Sequence, residues 1–532
     1  MSDVSMQMMP GKQKKMDQYE RVEQQERMKQ QVVIGDVPLS WRDVVNVARH
    51  AAPLALSRAC QERVQQARDV VEQVAASTVP HYGINTGLGA LCHVVLEREA
   101  LSSLSRHTLM SHACGVGDPL REDQVRAIMC CAVINYSHGH SGISPAVVER
   151  LVQLLNANIV PWVPSRGSVG YLTHMAHIGL VLIGEGEVLF EGRRMAAYEV
   201  LGQHAITPLE LGPKDGLSLV NGTPAMTGLA CLVLDDAARV ADWAEVAGAM
   251  SFEALRGQRD ALDPAVTGLK RHPGVQHSAG ILRRMLADSP WLEQCRGDHL
   301  QDALSLRSMP QVHGACRDQW EHATRQIDFE LQSATDNPLV IAEDGHHRIV
   351  SQANPHGASV AMACDVLAMA VAEWGSMSER RSYRLVTPQA NDLPAFLTRE
   401  GGIKSGMMIA QYTAASLAAD NKRLAQPAVV DNFLTSGLQE DHLSFGESAA
   451  LKLDQALDNT YRILAIEMLL AAQALDLTEA PGFASGTELA RGLVREQVAY
   501  YTEEHPLNRD IEHLSDWLRQ AQNLSPFAHY FR

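Results

Sequence analysis

Aromatic side chains are scarce in this chain, 5% of 532 residues, while Ala, Leu, Val, Met, Gln and Glu dominate, a balance that favours helices over sheets. No basic block offsets a net charge of -16, which argues against nucleic acid or an anionic membrane surface as partner. No apolar run reads as a membrane span and no N-terminal stretch as a signal-peptide core, so the expected location is the cytoplasm. The nine cysteines have no CxxC pairing, which excludes a disulfide framework and predicts reduced, mostly buried thiols. What remains is ample: 46% hydrophobic residues over this length can build several core layers, so global disorder is excluded.

The text falls into four stretches. Residues 1–31 are polar, with one possible frayed helix around Tyr19–Met28, and read as a flexible tail. Residues 32–216 alternate helical runs with glycine-rich turns. Arg63–Ala75 has apolar residues at helical spacing and is stopped by Thr78-Val79-Pro80. Residues 217–480 form a central long-helix region. Val220–Met250 and Ala358–Ser378 are apolar on most faces and must be buried among other helices, and Gly406–Ala425 and Leu451–Leu475 resemble them. Asp454, Asp458 and Glu467 suggest one wetter stripe on the last. Residues 481–532 are a C-terminal helical segment. Strand signals are limited to short pieces near Val188–Phe190 and Arg348–Ser351. The expected fold is mostly α, a long-helix bundle with a smaller N-terminal mixed helix and loop region, and buried helix faces of this kind predict a homo-oligomer.

Several segments carry long motifs. Tyr82 begins Tyr82-Gly83-Ile84-Asn85-Thr86-Gly87, and His112 lies in Ser111-His112-Ala113-Cys114-Gly115. Asn221 lies in Leu219-Val220-Asn221-Gly222-Thr223, and Gln301 and Arg307 bracket Gln301-Asp302-Ala303-Leu304-Ser305-Leu306-Arg307. Thr335-Asp336-Asn337-Pro338, Asn354-Pro355-His356-Gly357 and Gln439-Glu440-Asp441-His442 follow. Together they resemble the histidine and aromatic amino acid ammonia-lyases, over roughly Val32 to Leu524. The resemblance implies an aspartase/fumarase-like helical fold, a homotetramer and a small amino acid or betaine as substrate. It implies Tyr82 acting on the substrate β-proton, His112 lining the pocket, Asn221 beside the electrophile, Gln301 binding substrate, Arg307 gripping the substrate carboxylate, and Glu440 meeting an imidazole ring.

The chemistry asks for those residue types. Eliminating an amine needs a fixed carboxylate, which a planar Arg fork suits, and a base for a weakly acidic hydrogen. A buried Tyr near positive charge or amide donors serves as that base if its pKa falls. The third need is a labile amine. The family meets it with methylidene-imidazolone, cyclised from Ala-Ser-Gly. Here Pro164-Ser165-Arg166-Gly167-Ser168-Val169-Gly170 runs straight into Tyr171, where the family has Ala-Ser-Gly-Asp, so no such cofactor is expected. Leu304 stands where histidine-type members carry a catalytic Tyr, Pro355 replaces an aromatic wall, and Lys404 stands where they show Asn.

Three functions follow from this pattern. One is a lyase needing no electrophile because its substrate bears a good leaving group, as the family's ergothionase-type branch does in releasing trimethylamine from a thiolated histidine betaine. The second is conventional histidine ammonia-lyase, and the third a non-catalytic scaffold or regulatory subunit. Each residue also has a plainer reading. Tyr82 can be a buried phenol satisfied by backbone, Arg307 an ion-pair residue, and Glu440 or Asp441 an acid that orients His442. Lys404 is either a surface charge or an aid to proton transfer. His174/His177, His138/His140 and His346/His347 read as pocket, core or turn histidines, and no metal site is expected. A literal Ala484-Ser485-Gly486 precedes the helical Thr487–Ala499 pattern, so Ser485 reads as a turn or cap.

Overall fold

The computed structural model describes residues 30–532 apart from Asp36, Asp344, Gly345 and Asp431, and the expected helix around Tyr19–Met28 lies outside them. The chain is mostly helical, and its strands form only four small sheets among the described residues. Val32–Ile34 pairs in parallel with Leu54–Leu56, Val116–Pro119 pairs with Pro164–Arg166, and Leu339–Glu343 pairs with His346–Val350. The fourth sheet orders Val160–Pro161, Glu187–Phe190 and Arg193–Ala196. Both expected strand pieces pair locally, and His346 and His347 lie on a strand rather than in a turn.

Contacts divide the chain into two compact units, each gathered from separate stretches: Met1–Leu232, Ile327–Ala358 and Asn432–Glu447 in the first, Val233–Gln326, Ser359–Asp431 and Ser448–Arg532 in the second. In the first, Arg58–Ala75 starts five residues earlier than its periodicity suggests, because Ser57 Oγ accepts the Cys60 amide at 3.2 Å and caps a polar opening turn. Its inward face, Ala67, Val70, Val71 and Ala75, joins Ile84, Leu101 and Val340 in one core cluster.

Long helices dominate the second unit. Ala358–Val386 and Met408–Leu424 belong to it entirely but for the first residue, and Pro224–Ala254, Met309–Leu331 and Gly446–Leu477 contribute most of their length. Its core is not purely apolar. The Arg381 guanidinium is fully buried on Glu467, at 2.5 and 2.9 Å, and Ser251 donates to the same carboxylate at 2.6 Å. Glu467 is therefore no part of a wet stripe; Asp454 and Asp458 alone keep partial exposure. Glu245, equally buried, receives His313 Nδ1 at 3.1 Å and Arg317 Nε at 3.3 Å. Burial raises the cost of its charge, but the hydrogen bonds and charges of His313 and Arg317 outweigh it and hold the carboxyl down at about 2.

Two stretches correct the reading of apolar runs. Asp215–Ala254 and Ala358–Val386 are long and apolar enough to cross a membrane, with mean hydropathy 1.5 and 1.4. The most apolar window of the first is wholly buried, and 67% of the second's, which is the pattern of core helices in a globular chain. Seven of the nine cysteines are buried, Cys92 is half-buried and Cys114 exposed, and all are free.

Candidate active site

The Tyr82 loop is built by its own motif. Asn85 Oδ1 accepts the His81 amide at 2.7 Å, while its Nδ2 donates to the carbonyls of Val79 and Ser77 at 2.9 and 3.2 Å. Thr86 Oγ1 takes the Gly83 amide at 3.2 Å. Asn85 and Thr86 thus shape the turn, and Tyr82 is the residue it presents, half-buried, with its hydroxyl accepting the Gly89 amide at 3.4 Å. Gly83, at φ +67°, lies where a Cβ would come within 2.3 Å of Leu217.

Beside it runs the segment that lacks the tripeptide. Val169 accepts the Phe445 amide at 3.0 Å, and Leu172 donates its amide to Val220 at 2.9 Å, one residue before Asn221. Gly170, at φ +137°, is so close to the 444–445 backbone that a Cβ would sit 2.2 Å from Ser444 Oγ. Ser168 Oγ accepts the Gly170 amide at 3.3 Å and donates to the Tyr171 carbonyl at 3.1 Å. This fixed path sets Tyr171 near Glu440. Thr435 Oγ1 donates to Glu440 Oε2 at 3.2 Å, which holds that carboxylate as an acceptor.

The electrostatics are those of neutral phenols around a carboxylate. Burial first, then Glu440, push the Tyr171 pKa far up. Burial also raises Tyr82, partly opposed by the Gly89 amide, and Glu440 raises it further. The expected acidification of Tyr82 is therefore not found within this unit; its nearest charge is negative.

Behind these side chains lies a buried network that sequence reasoning missed. Asp336 Oδ2 accepts Ser141 Oγ, Lys214 Nζ and Ser218 Oγ at 2.5, 2.6 and 2.8 Å. Asn221 Nδ2 donates to Asp336 Oδ1 at 3.3 Å and to the Asn337 carbonyl at 2.8 Å. Asn221 is thereby fixed by its amide donors, next to the segment bearing Tyr171. Lys214 is completely buried; desolvation lowers its pKa against the pull of Asp336. Asp336 and Asn221 stand in motifs, but the only sequence signal for Lys214 was a pair of charges, Lys214-Asp215, at the mouth of an apolar helix.

The other expected residues are placed as follows. His112 ends the helix Arg98–His112, with Nδ1 at 2.7 Å from the Thr108 carbonyl. His174 is buried, its Nε2 3.2 Å from the Ser165 carbonyl, and burial depresses its pKa to about 4. His177 Nε2 accepts the Gly115 amide at 3.0 Å. His138 and His140 bond the carbonyls of Leu331 and Val340. No group of three potential ligands could hold a metal among the described residues. Gln301, Arg307 and Lys404 belong to the second unit. There Gln301 is exposed, and Arg307, half-buried, donates from Nε to the Asp302 carbonyl at 3.0 Å. Leu304 is exposed at the start of a single helical turn. Lys404 bonds Glu400, Glu503 and the Thr502 carbonyl at 2.8–3.1 Å. Its carboxylate partners raise its pKa, so within this unit it is a fixed surface cation with no support for proton transfer.

Comparison with known proteins agrees with this arrangement. Residues 39–496 match the family model described as aromatic amino acid lyase. Histidine ammonia-lyase of Symbiobacterium thermophilum is 44% identical over 487 residues, covering 91% of this chain and 96% of that one. The crystal structure of histidine ammonia-lyase from Trypanosoma cruzi superposes with a TM-score of 0.87 at 34% identity, covering 94% and 95%. That of ergothionase, an ergothioneine-degrading enzyme from Treponema denticola, does so with 0.87 at 30%, covering 93% and 99%. The chain belongs to the aromatic amino acid lyase family and is a carbon–nitrogen lyase by membership.

The residues present do not fit the methylidene-imidazolone of the related ammonia-lyases. Gly170 is joined directly to Tyr171, and the flanking backbone is bonded at Val169 and Leu172, which leaves no tripeptide to cyclise. The remaining Ala-Ser-Gly opens a regular helix, Ser485–Gln497: Ala484 is the N-cap, and Ser485 is the first helical residue, its amide bonding Asp288 at 2.9 Å.

Proposed function

We propose that this protein is a lyase that eliminates the α-amine from an imidazole-bearing amino acid or betaine, giving a urocanate-like product without methylidene-imidazolone, as a cytoplasmic homotetramer. The observation that carries the proposal is the direct Gly170–Tyr171 junction, whose flanking backbone is bonded at Val169 and Leu172. A primary ammonium leaves poorly, and each tenfold loss of rate is about 1.4 kcal/mol of barrier. Without an activator the substrate must bring its own, and a trimethylammonium group departs as a neutral amine. Glu440, held as an acceptor, takes an imidazole N–H or pairs with imidazolium. Tyr82 faces the substrate β-hydrogen; because its phenol is neutral, it gives its own proton to Glu440 as its oxygen takes the β-hydrogen. Gln301 and Arg307 supply the carboxylate clamp. An ergothionase among the structural neighbours is consistent with this chemistry.

A second reading is conventional histidine ammonia-lyase. The specific observation in its favour is that the relatives with 38–44% identity carry that name, whereas the ergothionase likeness is 30%. Product analysis separates the two. Purified protein is given histidine, its trimethyl betaine and the thiolated betaine, and ammonia and trimethylamine are assayed separately. Trimethylamine from a betaine, with little ammonia from histidine, is expected. Brisk ammonia release from histidine, together with a protein mass short by two waters, would establish the conventional enzyme instead.

A further inference from the structure

The second unit holds a cavity of about 310 Å³ that none of the candidate residues lines. It opens where the long helix Pro224–Ala254 ends. Arg256 turns left-handed at φ +59°, and at Gly257 a Cβ would lie 2.5 Å from the Phe252 ring, which breaks the helix and swings the chain round the cavity. Leu262, Leu286 and Leu292 form an apolar wall, and Gln258, Arg283 and Arg296 a polar one.

The guanidiniums differ in what they have left to donate. Arg259, also on the lining, is committed: its Nη1 donates to the Leu286 and Ala287 carbonyls at 3.4 and 3.2 Å, and its Nη2 bonds Glu293. Arg283 spends only Nη1, on the Leu262 carbonyl at 2.8 Å and Thr267 Oγ1 at 3.3 Å; its other nitrogens have no hydrogen bond among the described residues. The Arg296 guanidinium is 3.8 Å from Glu293, beyond hydrogen-bond reach. Of the carboxylates on the lining, Asp263 accepts the Ala265 amide at 2.7 Å, and Asp260 is exposed. Three guanidiniums against two carboxylates leave the lining positive, in a chain of net charge -16. Unused N–H groups of planar forks beside leucine side chains suit a monocarboxylate with an apolar body.

Gln258 faces two ways. Its side chain holds the segment that follows the cavity, donating from Nε2 to the Cys295 carbonyl at 3.2 Å and accepting the Gly297 amide on Oε1 at 2.8 Å. Its own amide donates to Asp302 Oδ2 at 2.6 Å, and the Asp302 carbonyl takes Arg307 Nε at 3.0 Å. The cavity wall is thus bonded through one residue to Arg307, and Gln301 lies in the same stretch. We propose that the cavity is a regulatory site for a small monocarboxylate with an apolar body, and that its occupancy orders residues 295–307 through Gln258 and Asp302. A ligand that fixes Gln258 leaves Arg307 less freedom to lose when substrate arrives, so the coupling is positive. The regulatory role rests on the reading of Arg307 as the clamp on the substrate carboxylate.

The test is binding and amide hydrogen exchange, independent of turnover. Sodium trans-cinnamate is titrated into the full-length protein by calorimetry, with uncharged cinnamamide and inorganic phosphate as comparisons. Exchange is followed by mass spectrometry with and without cinnamate. Cinnamate binds tighter than either comparison by about five-fold or more, and exchange slows over residues 257–263 and 295–307. Arg296→Glu, at an exposed side chain, weakens cinnamate by about ten-fold or more. Arg307→Ala keeps the slowing over 257–263, which separates the cavity from binding at the clamp itself. Gln258→Ala binds cinnamate within about three-fold of the parent but loses the slowing over 295–307. Phosphate or cinnamamide binding as tightly as cinnamate, Arg296→Glu binding as tightly as the parent, or unchanged exchange over 257–263 would each overturn the site. Slowing over 295–307 that survives Gln258→Ala would overturn the coupling. The exchange arm on unaltered protein decides even if a variant does not fold. If the lyase reading alone is wrong, no amine is released from histidine or either betaine while cinnamate still slows both segments.

Discussion

Lys214 and Asp336 show how much of this site rests on single buried charges. The pair is almost wholly removed from water, and Asp336 also takes Ser141, Ser218 and Asn221, so one carboxylate organises four donors. Removing one partner of a buried pair strands the other, at a cost of about 3–5 kcal/mol, whereas replacing both with apolar groups is often close to neutral. Lys214→Met is thus expected to lower stability by about that amount. Lys214→Met with Asp336→Leu should recover part of the loss, and urea midpoints of the three proteins check it. An unchanged midpoint for the single variant would mean that the pair contributes nothing. None of this was legible from sequence, because the residues are 122 positions apart and Lys214 stands in no motif. Tyr82, Asn221 and Glu440 were legible as candidates, because each sits in a long motif; the fold brings them, with Tyr171, into one unit. Tyr171 was visible only as a departure from a pattern. Its placement rests on left-handed Leu172 and on Gly170 closing against Ser444.

At the scale of elements, helix existence followed from apolar spacing, while helix ends depended on caps and on buried charge that spacing does not encode. Gly446–Leu477 begins five residues before its apolar pattern does, and that first turn buries Glu447. Neither carboxylate oxygen has a hydrogen-bond partner, and the Ser168 hydroxyl of the Tyr171 segment faces it. Burial raises the Glu447 pKa from 4.5 to about 7. Below about 4.5 the folded and unfolded chains both hold this proton, so ionisation carries no penalty. Between 4.5 and about 7 only the folded chain holds it, and stability falls as pH rises. Above about 7 the whole penalty remains, on the order of 3 kcal/mol at about 1.4 kcal/mol per unit. Glu447→Gln removes the titration. Its melting temperature relative to the parent should rise steadily from pH 4.5 to 8, as scanning calorimetry across that range would record. A difference that does not vary with pH would show that Glu447 is not protonated in the folded chain.

For the whole molecule, divisions drawn from composition at residues 31, 216 and 480 follow sequence order, whereas the compact units follow contacts and are each made of separate stretches. Composition cannot encode that, because a helix such as Gly446–Leu477 serves both units along one continuous text. The second unit leaves a further trace of assembly on its surface. Met362, Met369 and Tyr383 of Ala358–Val386 are spaced by seven and fourteen, so they share one helix face, and they are 57%, 42% and 45% exposed. Ile409 and Tyr412 of Met408–Leu424 are likewise more than half exposed. Isolated exposed apolar residues need no explanation, but a row of large ones along a long helix is a candidate interface. In the homotetramer proposed above, a second copy of the chain would cover that face. Light scattering at micromolar concentration should therefore give about four times the 58.2 kDa chain mass. Met369→Glu with Tyr383→Glu places two charges on the row, where desolvating them would cost several kcal/mol per ion in an assembled interface. That variant should scatter as a smaller species while its helical circular dichroism is retained. A parent that scatters as a monomer, or a double variant that remains tetrameric, would show that this face is not an interface.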